Sequence, residues 1–261
     1  MGEIFIIDNQ IKIWRNFMIL YANGCSITVG DEISDDDKIC HRFSYSGLVA
    51  NHFNYTLINQ AQRGGSNNRI IRTSMDFLSN YINAESKEKI FVLIGWTSPE
   101  RMEFYDINKD EWINYMINNY HIKNKEFLGF FDLYSEWFVS AKESINRYLN
   151  QVILFQSFLK LNKIPYLFLE TINSGRNIDK WLTNFLEKFG INKKREHIYD
   201  YFNQYENFIK MIDFKRFMDF GQNNITNFLL TMDKNLMSNT FHPTINGHYL
   251  FQKSNTIYRR K

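Results

Sequence analysis

The sequence predicts an α/β fold, with a parallel sheet covered by helices on both faces. Three observations carry this. Short apolar runs alternate with segments whose apolar residues recur at helical spacing. The strongest run, "KIFVLIG" at 89–95, is continuous, as a strand buried on both faces should be. The chain of 261 residues, 44% of them hydrophobic, is sized for one large domain with a packed core.

The elements follow in order. Residues 1–17 precede a second methionine, Met18, and read as an N-terminal extension; 18–261 reads as a single domain. Phe17–Ala22 is a short apolar strand closed by Gly24. "HRFSYSGLVANHF", 41–53, carries apolar residues at helical spacing. Tyr55–Asn59 is a second strand, and Asn67–Tyr81 a helix with Ile70, Ile71, Met75 and Leu78 on one side. The strand at 89–95 is followed directly by "GWTSPERMEF". Residues 105–140 are rich in aromatics and read as an insertion with short helices flanking the site. A long helix is expected at 141–162, a fourth strand at 164–170 and a helix near 177–189. Residues 195–238 are weakly patterned and read as helices and loops, and a last helix starts after Pro243.

Composition excludes several functions. A net charge of +3, with no basic block longer than three residues, gives no case for nucleic acid. Cys25 and Cys40 form no CxxC pair, so neither a zinc site nor a redox pair is expected, and they read as cytosolic thiols. No run reaches membrane-span length, and no signal peptide is visible. A cytoplasmic location is expected. No cofactor is expected, and oligomeric state is left open. Aromatics make up 17%, enough that some must lie near the surface, where they could stack on sugars or bases. The plainer reading is an AT-rich coding sequence.

In such sheets ligands bind outside the carboxyl ends of the strands. Three polar, glycine-bearing loops fall there, at 23–31, 60–68 and 95–103, with His242 at a loop-to-helix junction. Ser26 is either a turn serine or a nucleophile standing clear of the strand end. A serine hydroxyl reacts only when a base takes its proton, and histidine is the usual base. His242, otherwise a capping histidine, is held extended by Pro243. Backbone N–H groups of Ser26 and Gly64 could stabilise an oxyanion, unless Gly64 and Gly65 simply permit a turn; the Thr97 hydroxyl is a third donor or only a strand terminator. Arg101 and Glu103 form a structural ion pair or line the pocket, and Asn67 is an N-cap or a site residue. His248 lies six residues past His242, off its helical face, so no metal site is expected. Cys25 is a rival nucleophile, though neighbouring side chains should point apart.

The stretches "NGCSITVGDE", "NQAQRGGSNNR", "IGWTS" and "FHPTINGH" resemble, in order and spacing, the four blocks of the SGNH/GDSL hydrolase family. They look most like a branch met in bacteriophage genomes, which implies the host cytoplasm or the virion as the alternative location. The resemblance spans residues 18–254. It implies a three-layer α/β/α fold with a flavodoxin-like sheet, and hydrolysis of an ester, often an acetyl group on a carbohydrate, through an acyl-serine. By it Ser26 is the nucleophile, Gly64 an oxyanion donor and His242 the base. Thr97 stands where the family presents an asparagine, and Asn239 where it has the acid, three residues before the histidine. Asparagine can orient an imidazole but not stabilise its positive charge. Asp233 and Glu103 are the alternative carboxylates.

Two functions follow. One is a serine-dependent esterase acting on a small-molecule or glycan ester, with Ser26, His242 and Asn239 catalytic and Gly64, Thr97, Asn67, Arg101 and Glu103 at the oxyanion or substrate. The other is a weak or inactive module of the same fold that binds a glycan or protein partner. Phosphodiester chemistry, suggested by Arg69, Arg72 and Arg101, is the distant third.

Overall fold

A computed structural model describes residues 18–84, 89–115, 129, 140–172, 204–218 and 224–256. The N-terminal extension, the expected helix near 177–189 and most of the aromatic insertion lie outside the described residues.

A five-stranded parallel sheet forms the centre, in the order β2-β1-β3-β6-β7. Its strands are β1 (Met18–Asn23), β2 (Thr56–Asn59), β3 (Lys89–Trp96), β6 (Tyr166–Glu170) and β7 (Phe217–Met218). The inner strands are mostly apolar because both faces are covered, with polar residues only at their ends or as tyrosine hydroxyls; all six residues of β1 are buried. Side chains alternate between the faces. Ile19, Tyr21, Val92, Ile94, Trp96 and Phe168 pack in one core with α4 (Asn67–Asn83) and α5 (Ala141–Leu161). Leu20, Leu93 and Leu169 pack in the other with α3 (Tyr45–Phe53), α7 (Ile225–Met232) and α8 (Ile245–Thr256). The fold is therefore a three-layer α/β/α sandwich. Trp96, fully buried, meets Tyr148, Phe155 and Phe168 edge-on at 5.9, 6.3 and 5.3 Å.

Several elements differ from expectation, each for a local reason. The region 41–53 is two helices, α2 (Asp37–Phe43) and α3, because Ser44 is extended and its hydroxyl caps α3 by accepting from Gly47 N–H at 3.2 Å. Ser66, one residue before Asn67, is the N-cap of α4, accepting from Arg69 N–H. The start of the insertion is a β-hairpin, β4 (Met102–Asp106) with β5 (Glu111–Tyr115), instead of a helix. Asp110 turns it at φ 54°. Strand β7 and α7 emerge from the weakly patterned region. Strand β7 is only two residues long, too short for any pattern to reveal.

The chain leaves β1 for β2 on one side and crosses back to β3 on the other. That reversal opens a crevice outside the carboxyl ends of β1 and β3. The loops after β1, β2 and β3 all end there.

Candidate active site

Ser26 opens a four-residue helix, α1 (Ser26–Val29), one residue after the extended Cys25. The turn from β1 needs a glycine at 24. A Cβ there would lie 2.1 Å from the Thr28 hydroxyl and 2.9 Å from the carbonyl oxygen of Gly95. Asn23 pins the same turn: its carbonyl oxygen accepts from Gly24 N–H at 2.9 Å, and its amide donates to Thr73 and Ser74 of α4. As the first helical residue, Ser26 has an N–H with no intrahelical acceptor.

His242 arrives from the other end of the chain, just before α8. Its Nε2 lies 2.9 Å from Ser26 Oγ and its Nδ1 lies 3.1 Å from Glu32 Oε1. A carboxylate can only accept, so the ring proton sits on Nδ1 and Nε2 is left to accept from the Ser26 hydroxyl. Thr240 donates its hydroxyl to the same Glu32 oxygen and lies 3.4 Å from Nδ1. Burial acts to raise the Glu32 pKa, but hydrogen bonds from Ser238 and Thr240 and the nearby His242 outweigh it and hold the carboxyl below its usual range. Glu32 and Phe241 both have left-handed backbones, at φ 66° and 64°. Such conformations cost about 1–2 kcal/mol per residue and recur at functional sites. Here they aim Glu32 and the imidazole at each other.

The structure does not bring Asn239 to the imidazole. Asn239 is exposed, and the partners of Nδ1 are Glu32 and Thr240. Asp233 instead caps the 3₁₀ turn Lys234–Leu236. Glu103 receives a bidentate pair from Arg72 at 2.9 and 2.6 Å, and Arg72 stacks over Trp112 at 4.3 Å. The expected Arg101–Glu103 pair is replaced by this one, and Arg101 donates to the Gly65 carbonyl at 3.4 Å.

Asn67 is engaged through both its amide nitrogen and its oxygen. Its amide donates to the Thr97 carbonyl at 3.0 Å and its oxygen accepts from Thr97 N–H at 2.9 Å. This clamp joins the loop after β2 to the loop after β3. The Thr97 hydroxyl is buried and has no partner among the described residues. Gly64 adopts φ 69°, and a Cβ on it would touch nothing, so glycine is needed there for backbone freedom. Gly65 N–H is spent on Gln62 O at 2.9 Å; no described bond uses Gly64 N–H.

Cys25 points away from Ser26, with its sulfur 3.2 Å from the Thr171 hydroxyl and fully buried. Cys25 and Cys40 are both free. His248 is buried in α8, its Nδ1 accepting from Tyr45 N–H at 3.1 Å, and desolvation pushes its pKa down to about 3. Among the described residues no helix is long and apolar enough to cross a membrane, and no group of three or more His, Cys, Asp or Glu is placed to hold a metal ion.

Sequence reasoning missed Glu32 although it lies six residues from Ser26. The signal available was the acidic pair at 31–32 directly after Gly30, whose left-handed cap turns the chain back toward Ser26.

Among known proteins, residues 29–256 match a family of unknown function, DUF6071. No curated protein matches the chain. Solved structures similar in overall shape include the psychrotrophic esterase EstA from a Pseudoalteromonas species, at 12% identity over 92% of this chain and 96% of that one, with a TM-score of 0.45. Another is a member of the lipolytic protein G-D-S-L family from Veillonella parvula, at 12% identity over 93% and 99%, TM-score 0.43. A third is a catalytic mutant of Axe2, an acetylxylan esterase from Geobacillus stearothermophilus, at 13% identity over 94% and 95%, TM-score 0.41.

Proposed function

We propose that this chain, which belongs to the DUF6071 family of unknown function, is a serine-dependent hydrolase of carboxylic esters. The observation that carries the reading is the relay Ser26–His242–Glu32, with contacts of 2.9 and 3.1 Å, at the carboxyl edge of the sheet. In it the Ser26 hydroxyl attacks the ester carbonyl while His242 Nε2 takes its proton. Glu32 holds the Nδ1 proton and stabilises the imidazolium that forms. The oxyanion is met by N–H groups of Ser26 and Gly64 and by the Thr97 hydroxyl. His242 returns the proton to the departing alcohol, leaving an acyl-serine. Water then enters by the same base, and the acid is released.

The substrate class to test first is an O-acetyl group on a carbohydrate, which the resemblance of the four sequence blocks implies. The reading as a weak or inactive module rested on Asn239 in place of the acid, on Thr97 in place of an asparagine and on the aromatic insertion; Glu32, 3.1 Å from His242 Nδ1, answers the first of these.

The test is covalent. A fluorophosphonate probe is expected to add one equivalent to the intact protein, at Ser26, and Ser26→Ala to abolish the adduct and the hydrolysis of p-nitrophenyl acetate. A folded wild-type protein that takes no adduct and hydrolyses no acetyl ester refutes the reading.

A further inference from the structure

Two carboxylates face the imidazole, one at each nitrogen. Glu32 meets Nδ1 at 3.1 Å, and Asp31 Oδ2 lies 3.9 Å from Nε2, on the side where Ser26 is bound. A carboxylate on that side can accept from a proton placed on Nε2, and a ring that carries a proton on each nitrogen cannot accept one from serine. A base needs Nε2 bare. The remaining oxygen of Asp31 is held by Arg63: Arg63 Nε lies 2.5 Å from Asp31 Oδ1, and its Nη1 lies 2.8 Å from Asp37 Oδ1. The guanidinium therefore spans the segment after α1 and the start of α2, and the two carboxylates keep it protonated far above its ordinary range.

We propose that Arg63 is a positioning residue that keeps Asp31 from holding a proton on His242 Nε2. It offsets the Asp31 charge and draws that carboxylate toward the loop after β2. This rests on the reading of His242 as the base. Among the described residues the charged and titratable groups around the imidazole are few. Asp31 and Glu32 come from the segment after α1, and Arg63 from the loop after β2, acting through Asp31. His248 of α8 stays neutral because it is buried. Asp37 and His41 of α2 sit beyond Arg63. The cavity of about 560 Å³ beside them is lined by Asp31, Glu32, Ser34, Asp35, Asp37 and Arg63, so solvent reaches the pair and a substitution there leaves the two cores untouched.

A purely mechanical role for Arg63, strapping the loop at 60–65 to α2, makes a different prediction. The deciding measurement is the NMR pH titration of the His242 ring, assigned by its loss in His242→Gln. Arg63→Gln is expected to raise the midpoint, by about tenfold in proton affinity, because Asp31 is then uncompensated. Asp31→Asn is expected to lower it below wild type. In the Asp31→Asn background, adding Arg63→Gln should change proton affinity by no more than about threefold, the remainder of a direct charge effect screened by solvent. Arg63→Lys, which keeps the charge, should stay near wild type. An unchanged midpoint in Arg63→Gln, an equal rise in both backgrounds, or Arg63→Lys behaving as Arg63→Gln overturns the proposal. The titration is read on the ring itself, so it decides the role of Arg63 even if Ser26 never reacts. Failure of the fluorophosphonate test refutes the esterase reading separately. In an active enzyme, the acid limb of kcat/KM moves with the midpoint, while the high-pH plateau and KM stay within about threefold of wild type, because only the fraction of bare Nε2 has changed.

Discussion

Replacing Glu32 by glutamine tests the relay at its least expected member. The substitution keeps size and removes charge. It also reverses the hydrogen bond: a carboxamide can offer N–H to His242 Nδ1, which places the ring proton on Nε2, where it blocks acceptance from Ser26. The electrostatic part can be sized from the structure. Unit charges 3.1 Å apart attract by about 5 kcal/mol at an effective dielectric near 20 and by about 1.3 kcal/mol in bulk water. The Glu32 side chain is 35% exposed, so screening places the usable fraction between those limits, at about 2–3 kcal/mol. The expected loss in kcat is therefore about 10²-fold, with further loss from the wrong tautomer, which in the worked Ser-His-Asp template accounts for much of a roughly 10⁴-fold fall. The assay is kcat and KM on p-nitrophenyl acetate together with the labelling rate of Ser26, alongside circular dichroism to show an intact fold. Asn239→Ala, measured in parallel, should stay within about threefold of wild type, as exposed substitutions away from a functional contact usually do. The reasoning fails if Glu32→Gln keeps near-full activity while Asn239→Ala loses it.

Two more outcomes are expected. Thr97→Val keeps the shape of a buried residue and removes its unpartnered hydroxyl; if that hydroxyl meets the oxyanion, kcat falls by about 10²-fold with KM little changed, and Thr97→Ser recovers most of it. His248 is held neutral in the native state and has an ordinary value of 6.5 when unfolded, so its folded pKa is depressed and it contributes stability above 6.5 that is lost as pH falls toward about 3. Thermal melts should therefore show wild type losing stability between pH 6.5 and 4.5 more steeply than His248→Gln, whose amide oxygen can still accept from Tyr45 N–H. Parallel losses in the two proteins would rule this out.

The order of the sheet elements could be read from the chain because burial leaves a local trace. A strand covered on both faces is apolar along most of its length, which is why 18–22 and 90–96 stand out, and a helix of 21 residues with a serine cap shows itself by periodicity. The glycines and polar residues that close those strands mark the rim, so the convergence of Ser26 and His242 followed from topology. What the chain did not reveal was decided by contacts between distant segments. Glu32 reaches an imidazole 210 positions away only because the backbone at Gly30, Glu32 and Phe241 takes left-handed turns, and two of those three residues are not glycine. The Asn67 clamp on Thr97, the pairing of Glu103 with Arg72 and the ion pairs of Arg63 likewise depend on where loops meet. Apolar periodicity is a property of one segment and is written in it. A hydrogen bond or charge pair is a property of two segments, and its partners are chosen only when the sheet has set their distance.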